Sequence, residues 1–384
     1  MKKQYLAAIG AMLALVATSC NASKNVVVTT TADSGVGSLR DAVDRVEDGG
    51  VITFKIKNKA DSYDGGIDKW IITLTSGEIK FRKSIIIKGD GKIVIDGNKA
   101  SRIFDFVGTG TLTLDNLVFI NGNATDDDDD ELMSNCGGIV RARGSVIVSN
   151  CILVGSSAKN AGAVIASESP IIATRCTFSG NSTKEHVGVV ATMSISATDC
   201  TFIDNSSYGS FKNDGVIFAN SVSVTNCTFI GNCSFGDYSN NGVIHAFDSI
   251  SAVNCIFADN MSFNKKSNVE VSEFRGDAMR TNGRGSISAI NCVFTGDYKK
   301  SSYKGAVSTE GTFSGSGCSF NSRLNIDEIG DVVHAGDIKA TNYKLSSNVK
   351  DGRDRSSISC VFSSTATEIG SPMCVFLRKY HEHY

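Results

Sequence analysis

Residues 214–232 read DGVIFANSVSVTNCTFIGN. Gly215 turns the chain, and Val216, Ile217 and Phe218 form a short strand. Asn220 and Ser221 make a corner, and Val222–Val224 alternate as a second strand. Thr225 and Asn226 turn again, Cys227–Phe229 form a third strand, and Gly231-Asn232 close the unit. Three short strands separated by small polar corners describe one turn of a parallel β-helix. The flanking stretches AGAVIASESPIIATRCTFSGN (161–181), VGVVATMSISATDCTFIDN (187–205) and NGVIHAFDSISAVNCIFADN (241–260) repeat the phrase almost without gaps.

The phrase Cys-x-(large apolar) occurs eight times, beginning at Cys151, Cys176, Cys200, Cys227, Cys255, Cys292, Cys318 and Cys360, and the first spacings are 25, 24, 27 and 28 residues. A fixed period of this size marks a solenoid, in which each repeat buries its apolar face only by stacking on its neighbours. The fold class expected is all-β: a single-stranded right-handed parallel β-helix with a short N-terminal capping helix. The Cys residues and Phe178, Phe202, Phe229 and Phe257 are two positions apart on one strand, so both columns face the same side and form the core ladder. Free Cys behaves as a small apolar core residue, and side chains in register on parallel strands have poor geometry for disulfides.

Alternation then divides the first strand of each coil. Val140, Val164, Val190, Ile217, Ile244, Val307 and Val333 share an inward column, all aliphatic. The neighbouring column, Arg141, Ile165, Ala191, Phe218, His245, Met279, Ser308 and His334, is mixed and points outward. The residue before each Cys is usually Asn or Asp (Asn150, Asp199, Asn226, Asn254, Asn291), with Arg175, Gly317 and Ser359 interrupting. Asn and Asp tolerate left-handed turn geometry and hydrogen-bond along a stack.

The ends differ. Residues 1–19 carry Lys2 and Lys3, an apolar run and the sequence Val-Ala-Thr-Ser before Cys20. This resembles a bacterial lipoprotein signal, and the resemblance implies that Cys20 becomes a lipidated N-terminus. Residues 20–27 would be a tether, 28–375 the β-helix domain and 376–384 a C-terminal tail. Localisation is then the cell envelope, lipid-anchored at the outer membrane, with the surface or periplasmic side left open. Within the cap, residues 28–54, Leu39, Ala42, Val43 and Val46 fall on one face of a helix. Ser38 is its N-cap with Asp41 three residues on, and Gly49-Gly50 are its stop.

The stretch TADSGVGSLRDAV followed by ITF, together with IVIDGNKASRIFDF (93–106), resembles the N-terminal cap and early coils of pectin-lyase-like β-helix proteins. Gly137-Gly138-Ile139-Val140 and the Phe-x-x-Asn phrases ending at Asn181, Asn205, Asn232 and Asn260 are similar to the repeats of polymorphic outer membrane proteins. The resemblance implies the β-helix fold. That superfamily contains lyases, hydrolases, adhesins and proteins of other roles, so it leaves activity open.

Net charge is −2, with no long basic run, which gives no support to nucleic-acid binding. Asp126, Asp128 and Asp130 lie in an acidic run that reads as a solvated insertion, with a Ca²⁺ site as the competing reading. No other cofactor is expected. Cys136, Cys233 and Cys374 lie off the ladder, and their pairing is open. For catalysis the outward column offers Arg141, His245 and His334. The two His residues are three coils apart, about 14 Å at the strand spacing, too far for a shared proton relay. No acidic residue recurs in the column as aligned. The expected function is therefore an envelope-anchored β-helix for adhesion or glycan binding without catalysis. Its partners would be a membrane, through the lipid, and polysaccharide or host-surface glycans. The alternatives are a polysaccharide lyase acting on uronic acid-containing glycans and a structural surface protein.

Overall fold

The computed structural model describes residues 23–57, 63–66, 68–124, 135–185, 188–209, 212–213, 215–236, 239–240, 242–264, 273–275, 278–296, 306–325, 333–335, 337–348, 355–360 and 377–379. Cys20, the acidic run Asp126–Asp130 and Cys374 lie outside them. The chain winds as a right-handed parallel β-helix whose described strands form sheets of 21, 13, 7 and 2 strands. Parallel pairing dominates because each coil advances by one strand spacing and presents the same residues to the next.

β1 (Ser23–Val28) pairs parallel with β2 (Val46–Phe54), Val26 facing Ile52 across the ladder. Val26 and Val28 are buried, so the domain takes in residues expected in the tether. At the other end Leu377–Lys379, expected in the tail, pairs with Val333–Ala335. Between β1 and β2 lies α1 (Leu39–Arg45), in which the Ser38 hydroxyl accepts the amide of Asp41. The Asp41 carboxylate accepts the Gly37 amide and pairs with Arg45 one turn on. Leu39, Ala42 and Val43 seal the first coils. The helix ends at Arg45 rather than at Gly49-Gly50, because Val46 is extended and buried as the first residue of β2.

The corner expected at Asn220-Ser221 lies inside one continuous strand, Ile217–Thr225, and the next coil's strand, Ile244–Val253, carries one extra residue opposite it. Both segments therefore belong to the 21-stranded sheet. The 13-stranded sheet carries the Cys-x-Phe phrase, and the third face is a further strand after Asn232, Cys233–Gly236. The turn from the long sheet into the Phe sheet is left-handed in every coil from Asn116 onward, at Asn150, Arg175, Asp199, Asn226, Asn254, Asn291 and Gly317. Arg175 keeps this geometry and stacks its Nε on Asn150 Oδ1 at 2.8 Å.

Three registers differ from the sequence reading. Ile165, not Val164, pairs with Val140, and Ala166 pairs with Arg141. Met279, read into the outward column, continues the inward column from Ile244, and Arg280 takes the outward place beside His245. Ala163, Val164 and Ile165 are all fully buried at a bend, so apolar character alone could not select the strand residue. The third difference is Cys360. Phe320 pairs with Leu345, which sets Tyr343 against Cys318, and Asn342 supplies the left-handed turn. Arg355–Cys360 folds back antiparallel, with Cys360 opposite Tyr343. The Cys column thus runs from Cys151 to Cys318, and Tyr343 holds the next rung. The 42 residues from Cys318 to Cys360 are more than one coil.

The core is built of ladders. The Phe178, Phe202 and Phe229 rings stack at 4.6 and 4.7 Å within 4° of parallel, and the stack continues through Phe257, Phe294 and Phe320. Cys151 to Cys318 are buried, and each thiol donates to a carbonyl two residues back. At the far corner Asn181, Asn205, Asn232 and Asn260 form an interior amide ladder. Asn205 Nδ2 donates to Asn232 Oδ1 at 3.0 Å and to the Phe178 carbonyl at 2.9 Å. The Phe-x-x-Asn phrase is this ladder: the Phe fills the core and the Asn satisfies the buried corner amides of adjacent coils.

Candidate functional site

The outward column of the long sheet begins earlier than the sequence reading had it. Lys80 pairs with Asp105, and Asp105 with Arg141. The column continues through Ala166, Ala191, Phe218, His245, Arg280, Ser308 and His334. An acidic residue does stand in it. Arg141 grips Asp105 with Nε on Oδ1 and Nη2 on Oδ2, both at 2.9 Å, and Lys80 Nζ lies 3.1 Å from Oδ2. Burial pushes the Asp105 carboxyl up. The hydrogen bonds and charge of Arg141, then Lys80 and Arg102, more than reverse this, and the group sits below its ordinary 3.8. Beneath the triad Arg102 is buried, paired to Glu78, and its Nε donates to the carbonyls of Cys136 and Gly137.

Arg141 is therefore a poor general base: its guanidinium stays protonated, and its charge is matched by a carboxylate one coil away. His245 lies four coils further along, about 19 Å from Arg141 at the strand spacing. The sequence reading placed it on the surface, but it is only 1% exposed. Phe218 in the preceding coil and Phe247 two residues on flank its ring, with centroids at 5.4 and 5.9 Å. Ala166 and Ala191 separate Arg141 from this aromatic pocket. His334 holds the register position three coils beyond His245. The three candidates share a column and are not brought together. Among the described residues no group of three or more His, Cys, Asp or Glu side chains is placed to hold a metal ion.

A second outward surface escaped the sequence reading. In the other half of the long sheet, Ser196, Ser223, Ser251, Ser288 and Ser314 stack in register, one per coil. Ser194, Ser221, Ser249 and Ser286 form a parallel column two residues away. Ser249 donates to Ser221 at 3.2 Å, so the columns hydrogen-bond along the axis. The signal was present as SISAT (194–198), SVSVT (221–225), SISAV (249–253) and SISAI (286–290), where Ser alternates with the buried aliphatic residue. The result is a flat, uncharged array of hydroxyls at intervals of about 4.8 Å along the axis.

A comparison with solved structures finds similarity to the crystal structure of pectate lyase Pel9A. The match has 14% identity and a TM-score of 0.32, covering 86% of this chain and 79% of that chain. No family model matches the chain, and a search of curated proteins finds no match.

Proposed function

We propose that the chain is a lipid-anchored envelope protein that binds glycans along its β-helix without catalysing their cleavage. The observation that carries this reading is the Ser-x-Ser face. Its hydroxyls both donate and accept, as sugar hydroxyls do, and they recur along a rigid axis that an extended polysaccharide can follow. The two serine columns from Ser194 to Ser314 contain no charged residue, which suits a neutral ligand, and charge enters only at their edges, at Asp248 and Lys339. The dispersal of Arg141, His245 and His334 along one column supports the non-catalytic half of the reading, since proton abstraction needs a base within hydrogen-bond reach of the reacting atom. Anchoring through Cys20 follows from the signal-like residues before it.

The test is a glycan array with a host-matrix binding assay, comparing the parent with Ser223→Glu/Ser251→Glu. Binding that falls by tenfold or more in the variant is the expected result, because two charges interrupt the central column. No binding above background on either platform would sink the proposal. Release of unsaturated product from uronic acid polymers, abolished by Arg141→Ala or His245→Ala, would replace it with a lyase. Mass spectrometry of the mature N-terminus checks for a diacylated Cys20.

A further inference from the structure

The third face of the solenoid carries an outward column that combines lysines with aromatic rings. Ala158, Thr183 and Ser207 are in register and buried, so the residues after them, Lys159, Lys184 and Tyr208, point outward on three successive coils. The Lys184 amide donates to the Ala158 carbonyl at 3.0 Å, which keeps this register one residue past the printed strand. Phe235 follows Tyr208 in the next coil, and their rings lie 4.9 Å apart within 4° of parallel. Tyr208 is 45% exposed. Phe235 beside it is half-buried. Tyr208 is also the first ring of its stack, so its other face looks toward the coil of Lys184.

Two ammonium groups one coil apart, followed by two aromatic rings on the same straight line, form a composite that neither element makes alone. Among the described residues neither lysine enters an ion pair, whereas Lys80 and Lys92 do. The aromatic pair sets apolar, polarisable surface against a ligand, and the lysines set positive charge at intervals of about 4.8 Å. The column itself carries no acidic residue, and Glu185, whose amide donates to the Lys159 carbonyl at 2.8 Å, lies at its edge.

We infer that Lys159, Lys184, Tyr208 and Phe235 form a binding site for an anionic glycan strand lying along the solenoid axis. The lysines meet sulfate or carboxylate groups, and the rings meet the carbon–hydrogen faces of the adjoining sugars. This site is separate from the neutral Ser-x-Ser face and stands or falls apart from it.

The experiment uses one polymer backbone with three charges: dextran, dextran sulfate and carboxymethyl dextran, titrated against the full chain by calorimetry. The parent is expected to bind at least one anionic polymer and to bind it more tightly than dextran; which anionic arm is tighter identifies sulfate or carboxylate as the preferred group. Lys159→Gln/Lys184→Gln is expected to weaken that binding about tenfold, the scale of losing two exposed charge contacts. Tyr208→Ala is expected to weaken it at unchanged salt dependence, because it removes ring surface and no charge. Lys88→Gln, an exposed lysine elsewhere, is expected to leave it unchanged. Equal affinity of the double lysine variant and the parent overturns the inference, as does an equal loss with Lys88→Gln, which would mark non-specific attraction. Binding of dextran as tight as dextran sulfate also overturns it while leaving the neutral-face proposal intact.

Discussion

Arg141 holds the carboxylate of Asp105, one coil earlier, through two parallel hydrogen bonds of 2.9 Å, and that carboxylate has no solvent exposure. The pair ties two coils together on the outside of the long sheet, with Lys80 tying in a third. Removing one partner of a buried pair leaves an uncompensated charge. Arg141→Ala is therefore expected to lower stability by about 3 kcal/mol, and Asp105→Asn by less. Urea midpoints of the two variants check the order, and equal losses would contradict it.

The same pair fixes the direction of a pH effect. The folded carboxyl of Asp105 is held below its ordinary 3.8, as are those of Asp33, Asp41 and Asp115. A depressed folded value contributes stability that is present above pH 3.8 and lost as pH falls through the folded value. The parent should lose stability steeply below about pH 3.8, and Asp105→Asn should show a shallower fall. Thermal midpoints measured from pH 6 to pH 2 decide it.

Asn232 accepts two hydrogen bonds from Asn205, through Nδ2 at 3.0 Å and the backbone amide at 3.1 Å, and donates to the Phe202 carbonyl at 2.9 Å. Asn232→Ala strands buried donors and an acceptor in two coils, with an expected loss of about 3 kcal/mol. Asn232→Asp keeps the acceptors but cannot donate to Phe202, and it buries a carboxylate, so it should be at least as damaging. Hydrogen exchange should show the loss concentrated in the coils of Asn205 and Asn232, since a solenoid couples mainly to nearest neighbours. A loss spread evenly over the chain would argue against this.

Phe229 is fully buried between Phe202 and Phe257. Phe229→Ala is expected to cost about 4 kcal/mol, whereas Phe229→Leu should cost about 1.5 kcal/mol or less. The chain itself uses leucine in this column, at Leu153 and Leu345. Calorimetric unfolding of both variants measures the difference.

The ladder thiols should resist modification: burial shields all of them, although hydrogen bonding with the neighbouring thiol pulls the end members Cys151 and Cys318 down. Hydrogen bonding with Cys151 first, then burial, pushes Cys176 up to about 12. For Cys227, Cys255 and Cys292 the thiol of the preceding coil pulls down first, but that of the following coil and burial win and leave them near 11. Cys233 is half-exposed on the third face. Of the cysteines from Cys136 to Cys318, Cys233 should be the one labelled by iodoacetamide in the native protein at pH 8, more slowly than a free thiol because partial burial and then Asp204 push it up, with the ladder labelled only after unfolding. Peptide mapping reads the outcome, and rapid native labelling of Cys200 or Cys227 would refute the packed ladder.

The coil period, the parallel pairing and the placement of Cys and Phe on one inward face were determined by the sequence alone. A repeat of Asn-Cys-x-Phe with aliphatic alternation has few other ways to bury its apolar residues. Cys360 shows the limit, because a three-residue phrase carries no information on which strand it will meet. Ala163, Val164 and Ile165 show a second limit, since alternation cannot choose among three consecutive apolar residues. Only the tertiary structure decided that Asp105 stands beside Arg141, that phenylalanines cover His245, and that Lys159, Lys184, Tyr208 and Phe235 share a line. Those relationships join residues 24 to 36 positions apart from coil to coil, and coil lengths vary by several residues. One uncounted residue in a bend moves a side chain to the opposite face, so register, and with it every exterior site, is set by the stacking itself.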